Sequence, residues 1–190
     1  MKKIFLLLIS ILALGACKEP IEYKYQDREL GIECTGLDSK LAQEAYYSFR
    51  NDLAEYTMKN MVEIDYHNYP FSLALFVFKG AEGTADYKDI VSPHTIKILN
   101  ELKKETQLWD LQSDKSNLNY HSEFINCLIE GIQNDEVKQA IVSFREVNSQ
   151  NPKSFAELYR TSIVDADKDL NFATFLAFEI YYQYLYDLEF

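Results

Sequence analysis

Residues 167–188 read DKDLNFATFLAFEIYYQYLYDL. As a helix this stretch carries Phe172, Phe175, Leu176, Phe178, Ile180, Tyr181, Tyr182, Tyr184, Leu185 and Tyr186 around most of its circumference. Glu179, Gln183 and Asp187 recur every fourth residue and form one narrow polar strip. A helix apolar on nearly every side belongs in the middle of a domain, packed by other helices. The alternative use of such a helix is an aromatic face that docks a partner or a carbohydrate. Its Glu and Asp argue against a membrane span.

Working backwards, the chain supplies the surrounding helices. Asn151-Pro152 is a cap followed by a first-turn proline, leading to Phe155, Leu158, Tyr159 and Ile163. Asn134 caps a helix with Asp135 and Glu136 in its first turn and Val137, Ala140, Ile141 and Phe144 as its apolar stripe. Residues 120–130 carry Phe124, Cys127 and Leu128 inward, and Gly131 is the stop. Ser92-Pro93 opens another helix, whose stripe is Ile96, Leu99, Leu102, Thr106 and Trp109. The run Phe71 to Phe78 suits either a helix or a buried strand by periodicity. Helix is preferred because the chain offers no convincing second strand to pair with it. Asp38 caps the first helix, with Leu41, Ala45, Phe49, Leu53 and Tyr56 on one face. The sum predicts an all-α fold: one compact domain of six or seven helices over residues 38–190.

The other end of the chain says where this domain resides. Lys2 and Lys3 precede an apolar run from Ile4 to Leu14, too short to span a bilayer and of signal-peptide length. It ends in Leu14-Gly15-Ala16-Cys17, which resembles the lipobox of bacterial lipoproteins. The resemblance implies that residues 1–16 are a cleaved leader and that Cys17 is the lipidated residue. It also implies a location in the cell envelope, with the membrane reached through the acyl chains. Lys18 stands where many inner-membrane lipoproteins have Asp, so the outer membrane is expected. Lys18-Glu19 also resembles the charged export tags of surface lipoproteins in the Bacteroidetes. Residues 17–37 are polar and read as the lipidated cysteine and its tether, with an extended piece laid against the domain near Cys34.

Without the leader, 174 residues remain, with 17 Lys+Arg against 30 Asp+Glu, a formal charge of −13. Such a surface repels nucleic acid, and no basic patch offsets it. Two further cysteines, Cys34 and Cys127, would meet in an oxidising compartment as a disulfide. The alternative is two separate thiols, with Cys127 filling the core beside Phe124.

Chemical motifs are few. The chain has no phosphate-binding glycine loop, no GxSxG elbow and no HExxH pair, and nothing in it calls for a cofactor. His67, His94 and His121 lie far apart in sequence. Asp165, Asp167, Asp169 and Asn171 have the alternation that opens an EF-hand calcium loop. Leu170 replaces the turning glycine, however, and Leu176 the bidentate glutamate, so these carboxylates are better read as caps of the last helix. The resulting expectation is a non-enzymatic envelope lipoprotein that binds a protein partner or does structural work. The alternatives are an enzyme or glycan-binding component whose site is assembled from distant residues, with Trp109 and the tyrosines as the glycan surface, and an immunity-type protein that binds a basic toxin.

Overall fold

The computed structural model describes residues 21–60, 69–146, 152–166 and 168–190. Residues 1–20, which include the expected leader and Cys17, lie outside them, as do His67, Asn151 and Asp167. The described residues form an all-α domain, with one isolated antiparallel bridge, Trp109 to Leu118, and no sheet among them. The helices are α1 (Ser39–Asn60), α2 (Tyr69–Gly80), α3 (Tyr87–Ile90), α4 (Pro93–Leu102), α5 (Glu123–Gly131), α6 (Asp135–Glu146), α7 (Ala156–Ala166), α8 (Leu170–Ala177) and α9 (Gln183–Tyr186). A π-helical turn, Phe178–Tyr182, joins α8 to α9 with helical backbone angles on both sides. Among the described residues no helix is long and apolar enough to cross a membrane.

The α8–π–α9 helix is the centre of the domain. Every residue from Phe172 to Tyr182 is buried, and the five aromatic side chains among them are fully so. Each contributes on the order of 2–3 kcal/mol of apolar burial. Their rings meet partners from several helices: Phe178 meets Phe124 of α5, Phe175 meets Tyr159 of α7, and Tyr181 meets Phe49, Phe76 and Tyr87 of α1, α2 and α3. These side chains are therefore core and form no exposed docking face.

Three of the predicted starts are visible as capping bonds. Asp38 Oδ1 accepts from Leu41 N at 3.0 Å, Ser92 Oγ from Thr95 N at 3.2 Å, and Asn134 Oδ1 from Val137 N at 3.2 Å. Phe71 to Phe78 is helical, as part of α2. Two segments depart from expectation. Residues 80–91, whose sequence shows no helical period and predicts a loop, contain the short α3. The helix from Pro93 ends at Leu102 rather than continuing to Trp109. A helix end leaves carbonyls without partners, and here the indole N–H of Trp109 folds back to donate to Leu102 O at 2.7 Å. Thr106–Leu108 is a separate 3-10 turn, and Trp109 pairs with Leu118 instead of extending the stripe.

Residues 21–37, expected to be a tether, form a strap without regular secondary structure laid over the domain. Leu30 and Leu37 are buried, while Ile21, Tyr23, Ile32 and Cys34 pack against the core. The strap passes α5 at Gly36, whose φ is +87° and where a Cβ would lie 2.7 Å from Glu123 Cβ. Only glycine fits both the backbone angle and the approach.

Candidate functional site

Two groups of buried carboxylates lie inside the domain. The first runs along α1, where Glu44, Ser48 and Asp52 recur every fourth residue beside the apolar stripe of Ala45, Phe49 and Leu53. All three are about 1% exposed. They face the start of α4, which supplies Ser92, His94 and Thr95. Three donors converge on Glu44: the backbone N–H of Lys24 at 2.6 Å, that of Tyr25 at 3.0 Å, and His94 Nε2 at 2.6 Å. The strap thus uses Glu44 as its seat, and the Tyr25 ring stands edge-on to the His94 ring. Gln43 Nε2 donates to Tyr25 O, and Tyr47 Oη to Glu29 O at 2.9 Å. Arg28 lies over the rings of Tyr25 and Tyr47 at 5.1 and 5.2 Å.

Asp52 is held less completely. Its Oδ2 accepts from Tyr181 Oη at 2.7 Å and from Ser92 N at 3.1 Å. Its Oδ1 and the hydroxyl of Ser48 have no hydrogen-bond partner among the described residues. Burial pushes the Asp52 carboxyl above its ordinary value, partly opposed by hydrogen bonds from Thr95, Tyr181 and Ser92.

The second group surrounds Glu179 in the π turn, at 0% exposure. Tyr120 Oη donates to Oε2 at 2.7 Å, Tyr159 Oη to Oε1 at 2.9 Å, and Gln183 Nε2 to Oε2 at 3.1 Å. Ser116 Oγ fixes the Gln183 amide by donating to its Oε1 at 2.7 Å. The π turn sends Gln183 N–H to Phe178 O, five residues back, and the Gln183 side-chain amide donates to the Glu179 carbonyl. Burial raises the Glu179 carboxyl to about 8, against the lowering effect of Tyr120, Tyr159 and Gln183. The Tyr120 and Tyr159 hydroxyls are pushed well above their ordinary range by burial first and by Glu179 second. The carboxyl is fully buried, so it serves as an internal lock.

The acidic run near α8 is used for local structure. Asp169 Oδ1 caps α8 by accepting from Phe172 N at 3.1 Å, and Oδ2 accepts from Gln133 N at 2.6 Å. Asp165 Oδ2 accepts from Asn134 Nδ2 at 2.9 Å, and Asn171 lies against Gly131. These bonds fasten the α5–α6 junction. Among the described residues no three His, Cys, Asp or Glu side chains are arranged to hold a metal.

Of the remaining sequence candidates, His94 joins Glu44, whereas His121 is exposed on a turn. Trp109 is 6% exposed and packed on Tyr186 at 4.8 Å, leaving no open indole face for a sugar. Cys34 and Cys127 are bonded to each other, with Cα atoms 5.7 Å apart, joining the strap to α5. A cleft of about 220 Å³ opens between the second half of α1, α2 and α3, lined by Leu53, Tyr56, Thr57, Ser72, Phe76 and Ile90 among others. Neither Glu44 nor His94 reaches it.

The Glu44–His94 and Glu179–Tyr120–Tyr159 groupings were not anticipated from the sequence. The only hint of the first was the four-residue spacing of Glu44, Ser48 and Asp52. The chain matches no protein-family model, no curated protein and no solved structure.

Proposed function

We propose that this protein is a lipid-anchored envelope module that works by binding or by structural support rather than by catalysis. The observation that carries this reading is the disposition of the three cysteines. Cys34 and Cys127 are spent on each other across 93 residues, so the thiol of Cys17, at the end of the lipobox-like Leu14-Gly15-Ala16-Cys17, is the one left for acylation. A bridge of that kind suits an oxidising compartment, the destination that a cleaved leader implies. The buried carboxylates support the non-catalytic half of the proposal. Glu179 is enclosed, and Glu44 is covered by the strap it holds, so neither presents a reacting group to a substrate.

Metabolic labelling with palmitate, followed by membrane fractionation, tests the anchor. The wild-type chain is expected to take up label and sediment with membranes, and Cys17→Ser to lose the label and become soluble. A chain that never takes up label, or a Cys17→Ser variant that sediments unchanged, contradicts the proposal.

A further inference from the structure

We infer that the domain is held by a three-residue leash with one defined pole against the bilayer, formed by the strap's beginning, the first turns of α1 and the end of α4. The inference rests on acylation of Cys17, as proposed above, and adds the orientation and distance of the domain.

The leash follows from where docking begins. Ile21 already packs on the core, as does Tyr23. The next two residues are clamped through their backbone N–H groups by Glu44. Leu30 and Leu37 are buried beyond them, and the Cys34–Cys127 bridge closes the strap onto α5. Thr35 Oγ1 donates to Glu123 and Gln107 Nε2 to Gly36 O, fixing the strap just after the bridge. Only Lys18, Glu19 and Pro20 stand between Cys17 and Ile21. At ~3.5 Å per residue, four steps reach at most about 14 Å. A free tether over residues 17–37 would instead place the domain roughly 25 Å away on average, with no preferred face.

The pole is identified by the strap's neighbours. The Tyr23 hydroxyl is raised above its ordinary value by burial first and then by the charges of Asp38, just before α1, Glu101 in the last turn of α4, and Glu44. The backbone of Lys24 and Tyr25 sits on Glu44 itself. A helix of 22 residues is ~33 Å long. The far half of α1, with Leu53, Tyr56 and Thr57 in the wall of the cleft, is thereby carried away from the lipid surface. The pole's carboxylates, Asp38 and Glu101, favour contact with the headgroup layer over insertion into hydrocarbon.

Lys40 and Lys59 are both exposed on α1 and stand ~28 Å apart along its axis. The test uses full-length lipidated protein carrying a fluorophore at Lys40→Cys or at Lys59→Cys. The protein is reconstituted into phosphatidylethanolamine/phosphatidylglycerol vesicles with a quencher on the headgroups. Quenching at position 40 is expected to exceed that at position 59 several-fold. Inserting about twenty Gly/Ser residues between Glu19 and Pro20 should remove the difference. A chain that floats with the vesicles but quenches equally at both positions overturns the orientation alone. A chain that fails to float overturns the anchor, and the orientation with it.

Discussion

The two buried carboxylate groups are close in composition and opposite in design. Glu179 is met on both oxygens by buried side-chain donors, Tyr120 from the turn before α5, Tyr159 from α7 and Gln183 from its own helix. Glu44 is met by the backbone of a surface strap, and its neighbour Asp52 keeps one oxygen without a partner. The difference teaches that burial alone does not define a site's task. Glu179 ties the central helix to the residues around it, whereas the α1 stripe ties the strap over residues 21–37 to the domain. Removing the first should loosen the whole fold, and removing the second should loosen one edge.

The largest effect is expected from Glu179→Ala. It strands three buried donors at once, each costing about 1–3 kcal/mol, so a loss of about 4 kcal/mol or more in urea denaturation is expected. A loss below about 1 kcal/mol would show that the network is not a lock. The same carboxyl gives stability a pH dependence. Its folded-state value of about 8 lies above the ordinary 4.5, so the native state holds the proton more tightly than the unfolded chain does. The stabilising contribution is whole below about 4.5 and is lost as pH rises through about 8. Glu179→Gln should flatten that slope, as read from urea midpoints at pH values on either side of the window.

Next comes the bridge. A Cys34→Ser, Cys127→Ser double variant is expected to lose about 2–5 kcal/mol, since a loop of 93 residues is released in the unfolded chain. Amide exchange should rise in the strap and at α5 more than around Tyr159. Exchange that rises uniformly would erase the proposed distinction between edge and centre.

Glu44→Ala should cost about 2 kcal/mol, because two backbone donors and His94 lose their shared partner. The amides of Lys24 and Tyr25 should exchange faster while those of α8 stay protected. Asp52→Asn should change stability by less than about 1 kcal/mol in either direction. Oδ1 has no donor to lose, and the amide oxygen can still accept from Tyr181 and Ser92. A loss comparable to that of Glu179→Ala would place Asp52 in the same class as the lock.

Much of the fold was legible because its signals are local. Asp38, Ser92 and Asn134 cap helices from within three residues of the N–H groups they serve. The apolar circumference of residues 167–188 placed that helix at the centre of the domain. The end of α4 was not legible, because it is set by an indole that turns back rather than continuing a helical period. Docking near Cys34 was legible, but its start at Ile21 was not, because the strap's apolar residues are sparse. What holds it is a carboxylate 19 or 20 residues away and a bridge across 93. The polar strip of Glu179, Gln183 and Asp187 was read from spacing, but its use was not. The hydroxyls that bury Glu179 come from Tyr120 and Tyr159, 59 and 20 residues away, and His94 lies 50 residues from Glu44. Periodicity carries no information at those separations.

The most direct measurement is the mass of the amino-terminal peptide of the protein extracted from membranes. A peptide that begins at Cys17 and carries a thioether-linked diacylglyceryl group is the predicted result. A peptide in which Cys17 is unmodified and still joined to Ala16 would contradict it.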